Sequence, residues 1–265
     1  MPPPTSTDPQ RHRPSAPAAA APPCPAAAPL VRTRGGRRTL EFTPGEVQSE
    51  MLLARPGALV LAYSRAMMCF ALFVPRPRHI LMVGLGGGSL AKFCHRHFPA
   101  ARITVVELRA DVIALRGQFC VPPDDARLRV VHADAAGYLA GLSDSVDVLL
   151  VDGFDSAGLP RALGSARFYA DCRRALRADG VLVANVFSYD PDYARMLARL
   201  GQAFEGRLCW FDGIAGNNRL LFAFKGAPAL QRLVARRAGL GAGWLNRLLA
   251  HLVVAWLSHA KGTGR

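Results

Sequence analysis

The sequence predicts an α/β protein with a doubly wound, mostly parallel sheet and an antiparallel C-terminal strand. Three observations carry that prediction. From His79 onward, short apolar runs alternate with longer amphipathic stretches. The first apolar run ends in a cluster of glycines, and the last two are separated only by the segment GIAGN. Strands that alternate with helices form a parallel sheet covered on both faces, whereas a short connection joins antiparallel neighbours.

The elements follow in order. HILMVG is a strand, and SLAKFCHRHF is a helix opened by Ser89. RITVVEL and ADVIALRGQF give the next strand and helix, then RLRVVHAD and AAGYLAGL, then SVDVLLVDGF and SARFYADCRRALR. DGVLVANVF is a strand and DYARMLARLGQAF a helix, after which RLCWFD and NRLLFAFK form an antiparallel pair. Upstream, LEFTPGEVQSEML reads as strand and turn, and ALVLAYSRAMMCFALFV as a strand running into a buried helix that Pro75 and Pro77 close. Pro and Ala dominate the N-terminal end and offer little apolar surface to offset ordering entropy. The chain therefore divides into a tail without fixed structure (1–38), a short β/helix segment (39–78), the α/β domain (79–225) and a basic helical extension (226–265). In the extension, Trp244, Leu248, Leu252 and Trp256 share one helical stripe. That stripe reads as packing on the domain or on a second subunit, with a membrane-surface helix as the lesser alternative.

Composition narrows the function. Of 265 residues, 51% are hydrophobic and 20% charged, which excludes wholesale disorder. The net charge of +14 is concentrated at the ends, +5 in residues 1–38 and +6 in 226–265, leaving +3 for the rest. A nucleic-acid-binding fold is thus not indicated, and contact of the basic ends with nucleic acid or membrane is a minor alternative. The six cysteines form no CxxC pair and read as reduced thiols. The N-terminal end lacks the apolar core of a signal peptide, and no uncharged apolar run reaches the ~18 residues of a spanning helix. A cytoplasmic protein is expected. His95, His97 and His132 have no partners at metal-ligand spacing, so no metal is expected.

The strongest chemical signal is Gly84-Leu85-Gly86-Gly87-Gly88-Ser89, where the first strand meets its helix. Glycines there permit positive φ and close approach to a ligand, and the helix N-terminus favours electron-rich groups. The GxGxG spacing fits the loop of adenosyl-sulfonium enzymes better than the GxGxxG of dinucleotide folds. It makes the domain Rossmann-like, of the adenosylmethionine-dependent methyltransferase type. Glu107 ends the second strand 19 residues beyond Gly88, where a carboxylate accepts from ribose hydroxyls. Asp134 ends the third strand, placed equally well to meet an adenine amino group or to cap the following helix. Asp152 and Asp155 follow the fourth strand. Strands one and four flank the ligand crevice, so Asp152 faces whatever the glycine loop binds and can take the proton of an amine. Asp147 reads as structural, and Gln48, Tyr63 and Asn185 are weaker candidates by pattern alone.

Taken together, HILMVGLGGGS, TVVELRADVI, VVHADAAGYL and LLVDGFDSAG before RFY resemble the spermidine synthase (polyamine aminopropyltransferase) family over roughly Leu40 to Lys225. The resemblance implies transfer of an aminopropyl group from decarboxylated S-adenosylmethionine to a small amine, in polyamine biosynthesis and by a homodimer. It also implies that Gln48 touches the donor, with Gly84, Gly86 and Gly88 cradling it. Glu107 would hold the ribose, Asp134 the adenine, Asp152 would be the catalytic base, and Tyr63 and Asp155 would meet the acceptor. Two positions depart. Ser89 stands where the family has an acid for the donor's ammonium, and Tyr63-Ser64-Arg65 replaces Tyr-His-Glu, placing a cation where an acid faces the diamine. The first departure favours, as alternative, a methyltransferase using intact S-adenosylmethionine. A non-catalytic adenosyl-ligand-binding protein is the rival from another class.

Overall fold

The computed structural model describes residues 28–153, 160–215, 218–226 and 243–259. Asp155, the tail 1–27 and residues 227–242 of the extension lie outside the described residues. A small antiparallel sheet in the order β1-β2-β3 comes first, from β1 (Leu30–Arg34), β2 (Arg37–Glu41) and β3 (Val47–Leu52). Helix α1 (Ala62–Met67) and a 3-10 turn (Met68–Leu72) follow.

The large sheet contains β4 (His79–Val83), β5 (Arg102–Glu107), β6 (Leu128–His132), β7 (Val146–Val151), β8 (Leu176–Phe187), β9 (Leu208–Ala215) and β10 (Asn218–Phe224). Its order is β6-β5-β4-β7-β8-β10-β9, with β10 antiparallel to both neighbours and the pairs from β6 to β8 parallel. The helices are α2 (Ser89–His97), α3 (Ala110–Ala114), α4 (Ala135–Ala140), α5 (Ala166–Ala175), α6 (Tyr193–Ala203) and α7 (Gly243–His259). The expected alternation and the antiparallel C-terminal strand are both present.

Two apolar layers sandwich the sheet. On one face Ile80, Val105, Leu150, Val183 and Phe222 pack with α2, α7 and the 3-10 turn. On the other, Leu81, Val106, Leu149 and Leu182 pack with α4, α5 and α6. Because side chains alternate along a strand, each strand's sequence fixes what emerges where the first face ends. Ile103 and Val105 lead to Glu107, Ile80 and Met82 to Gly84, Val148 and Leu150 to Asp152, and Val181 and Val183 to Asn185. The registers Val83↔Val106, Val83↔Val151 and Val151↔Ala184 put these four end positions in one row across β5, β4, β7 and β8.

Three expectations are corrected. Residues 30–38 are not tail but hairpin: Gly35 and Gly36 at φ +55° and +72° form the two-residue turn that joins β1 to β2. Arginines on the exposed face hide that pattern. ALVL before α1 is not a strand: among the described residues no strand pairs with it, and it leads directly into the helix. Leu248, Leu252 and Trp256 of the α7 stripe are 45%, 58% and 50% exposed, which corrects its packing on the domain but not its packing on a second subunit. Ala250, Val253 and Leu257 form the face buried against the 3-10 turn, α1 and β9.

Candidate active site

A cavity of about 830 Å³ opens at the carboxyl ends of β4, β5, β7 and β8. That volume suits a nucleoside together with a small second substrate. Gln48, Tyr63, Gly84, Gly86, Glu107, Asp134 and Asp152 all line it, so the fold brings together residues far apart in sequence. Gly88 does not line it.

The glycine loop divides by function. A Cβ on Gly84, at φ +95°, would stand 2.4 Å from the Asp152 carbonyl oxygen. One on Gly88 would stand 2.3 Å from Val121 Cγ2, and one on Gly87 2.6 Å from Ser49 Oγ. These three glycines are demanded by protein packing. Gly86, at φ +50°, has no neighbour nearer than 3.8 Å and is the position that leaves room for a ligand. The close approach of Ser49 also explains how β3 reaches the site and presents Gln48 beside the loop. Behind it, buried Lys92 on α2 donates to the Phe119 carbonyl at 2.6 Å, and burial lowers its pKa to about 8.

Glu107 is buried and accepts backbone N–H groups on both oxygens, from Leu85 and Arg109 at 2.8 Å each. The carboxylate thereby fixes the loop's first turn and keeps free lone pairs for a ligand hydroxyl. Asp134 caps α4, accepting from Gly137 N at 2.9 Å, and still borders the cavity. Arg109 lies over the Phe42 ring at 4.7 Å and pairs with Asp111 at 2.7 Å.

Asp152 is held differently. Asn185 Nδ2 donates to its Oδ1 at 2.9 Å, and the Tyr63 hydroxyl donates to the same carboxylate. Burial pushes the Asp152 carboxyl above the usual carboxylate range, and these two donors oppose the push. Tyr63 is moved well above its ordinary value by burial and then by the charge and hydrogen bond of Asp152. Asn218 Nδ2 donates in turn to Asn185 Oδ1 at 2.8 Å. Asn218 was not foreseen from the sequence, although it lies two residues beyond Leu220 on the same face, as Asn185 lies beyond Val183.

Charge in the cavity opposes that of the chain. Among the described residues, its acids are Glu46, Glu107, Asp134, Asp152 and Asp190, against Arg109. Such a pocket selects cations.

The spermine/spermidine synthase domain matches residues 60–204. The chain belongs to that family. It is 38% identical over 205 residues to a polyamine aminopropyltransferase of Neisseria meningitidis, covering 77% of this chain and 78% of the relative. A polyamine aminopropyltransferase of Chromobacterium violaceum is 39% identical over 208 residues, covering 78% and 80%. Among solved structures, a probable spermidine synthase from Corynebacterium glutamicum superposes with TM-score 0.65 at 21% identity, over 86% of this chain and 94% of that one. A spermidine synthase in complex with the transition-state analogue AdoDATO gives 0.59 at 21%, over 86% and 87%. These last two carry the fold. As a member of this family, the chain is a transferase.

One departure from the family pattern changes meaning in three dimensions. Arg65 does not line the cavity. Its guanidinium donates to the carbonyls of Leu59 and Val60 at 2.8 and 2.6 Å, and Ser64 donates to the Leu61 carbonyl. The expected like charge beside a diamine is therefore absent from the lining, because carbonyls of the segment that leads into α1 capture it. Ser89, by contrast, does face the cavity. Asp147 is structural, receiving Arg78 N, His79 N and Arg177.

Proposed function

We propose that the chain transfers an aminopropyl group from decarboxylated S-adenosylmethionine to a small amine, in polyamine biosynthesis, with Asp152 as base. The row of Glu107, Gly84, Asp152 and Asn185 carries this reading. It sets a backbone-held acid for a sugar and a desolvated acid for an amine on either side of one glycine gap.

Glu107 and Asp134 would orient the nucleoside, and Gly86 gives it clearance. Asp152 accepts a proton from the acceptor ammonium, and the freed nitrogen lone pair attacks the donor methylene carbon. The carbon–sulfur bond breaks with its electrons on sulfur, leaving methylthioadenosine as a neutral thioether. The fold contributes alignment of the reactants, and Asp152 the proton transfer. Gln48, in the same lining as Ser89, supports donor contact, and Tyr63 supports contact with the acceptor. The homodimer implied by the family resemblance is part of the same reading and is checked by sedimentation.

The test is incubation with decarboxylated donor and a series of diamines, with mass detection of products. Methylthioadenosine and an aminopropylated amine are expected. Ser89 in the lining favours one rival, methyl transfer from intact S-adenosylmethionine. S-adenosylhomocysteine formed from the intact donor, with no turnover of the decarboxylated one, would establish that rival instead.

A further inference from the structure

We infer that Asn218 is a positioning residue for the base: it locks the Asn185 amide in the orientation that donates to Asp152. The inference rests on the reading of Asp152 as the base and adds a residue that the sequence did not single out.

The argument starts at the carboxylate. An ionised Asp152 only accepts, so Asn185 must turn its Nδ2 toward it, as the 2.9 Å contact records. That leaves Asn185 Oδ1 pointing the other way. Asn185 is 2% exposed, so this oxygen has almost no access to water and calls for a protein donor. Asn218 Nδ2 supplies it at 2.8 Å. Strand register makes the meeting possible: Asn185 pairs with Leu220 and Phe187 with Asn218, so the two asparagines are diagonal neighbours on one sheet face. An Asn side chain presents similar shapes in both amide orientations, and packing alone separates them poorly. With Asn218 donating, the reversed orientation sets Asn185 Nδ2 against Asn218 Nδ2 and Asn185 Oδ1 against Asp152, losing both hydrogen bonds at once.

The ionisable groups that share the cavity are Glu46, Glu107, Arg109, Asp134, Tyr189 and Asp190, together with Tyr63, which hydrogen-bonds Asp152 directly. A charged substitution at 218 would act on Asp152 through its field, so the test uses neutral variants. Asn218→Leu, Asn185→Leu and the double variant form a cycle, read as kcat, acceptor KM and the acidic limb of the pH–rate profile. Asn185→Leu should lower kcat about tenfold and move the acidic limb to higher pH, since a donor to the ionised form is lost. Asn218→Leu should do the same about threefold, with acceptor KM unchanged. In the Asn185→Leu background, Asn218→Leu should change nothing further.

Additive effects, or a rise in acceptor KM that survives in that background, would overturn the inference and make Asn218 a direct contact. Asn218→Ser, which keeps a donor and packs less, should stay within about twofold of the parent. If it equals Asn218→Leu in rate and pH profile, the donor role is wrong. Asp152→Asn separates the two levels: if it keeps full turnover, the base reading itself fails. If it is inactive and the cycle is additive, only the role of Asn218 fails.

Discussion

The two sides of the cavity hold their carboxylates by opposite means. On the nucleoside side, Glu107 accepts from Leu85 N and Arg109 N, and Asp134 from Ala136 N and Gly137 N. On the amine side, Asp152 is held by Tyr63 from α1 and Asn185 from β8, itself braced by Asn218 from β10. Backbone donors come with the fold and cannot be substituted away, so they suit a group that must stay ionised and fixed. Side-chain donors are adjustable, and here they temper the upward push that burial exerts on one acid. Substitutions on the first side should therefore act on binding, and those on the second on rate and its pH dependence.

The hardest test of that division is Asp152→Asn. It keeps size and most contacts but removes the proton acceptor, so kcat should fall about 10²–10⁴-fold. Calorimetry should still find donor affinity within about threefold of the parent, because Glu107 and the loop are untouched. A comparable loss of donor affinity would mean that the two sides are not independent.

Gly84→Ala attacks the point where they touch. The new Cβ would collide with the Asp152 carbonyl oxygen at 2.4 Å, so strand β4 or β7 must shift. A loss of about 2–4 kcal/mol in denaturant unfolding is expected, with both donor binding and rate impaired. Gly86→Ala is the control. Nothing lies within 3.8 Å, so stability should drop by only about 1 kcal/mol, from the left-handed backbone, while donor affinity falls. Equal destabilisation by both would refute the division of the loop into packing and ligand-facing glycines.

Glu107→Gln comes next. An amide offers one acceptor oxygen and one donor nitrogen to two backbone N–H groups, so one of them loses its partner. Donor KM should rise about 10–100-fold, with kcat at saturation little changed. A fall in kcat at unchanged KM would place Glu107 in the chemical step.

Much of this was legible in the sequence. Apolar runs ending in Gly84, Glu107, Asp134 and Asp152 announced both the sheet and the crevice, because period-two alternation puts the residue after each run at the ligand edge. What escaped depends on partners distant in sequence. Asn218 gains meaning only from its antiparallel register with β8, and the hold of Tyr63 on Asp152 only from the packing of α1 against β8. Arg65 looked like a cation in the pocket because position in a motif does not reveal where a long side chain ends. The packing of Gly87 on Ser49 and of Gly88 on Val121 was likewise invisible, since sequence spacing cannot distinguish a glycine that admits a ligand from one that admits a neighbouring strand or loop.

The smallest effect is expected from Tyr63→Phe, and it is the sharpest probe of how the amine side is tuned. The phenol donates to ionised Asp152, and that bond lowers the acid's pKa against the rise caused by burial. Removing the hydroxyl leaves burial less opposed, so a larger share of Asp152 is protonated at any pH on the acidic limb. The limb of kcat/KM should move to higher pH, with activity falling about tenfold or less at its foot and converging with the parent above it. Because Tyr63 titrates well above its ordinary value, it adds no alkaline limb of its own in the working range. A uniform loss at every pH, with the limb unmoved, would mean that the phenol touches substrate rather than holding the base. Movement of the limb to lower pH would mean that Tyr63 accepts from a protonated Asp152, reversing the polarity of the whole Asn218–Asn185–Asp152 chain.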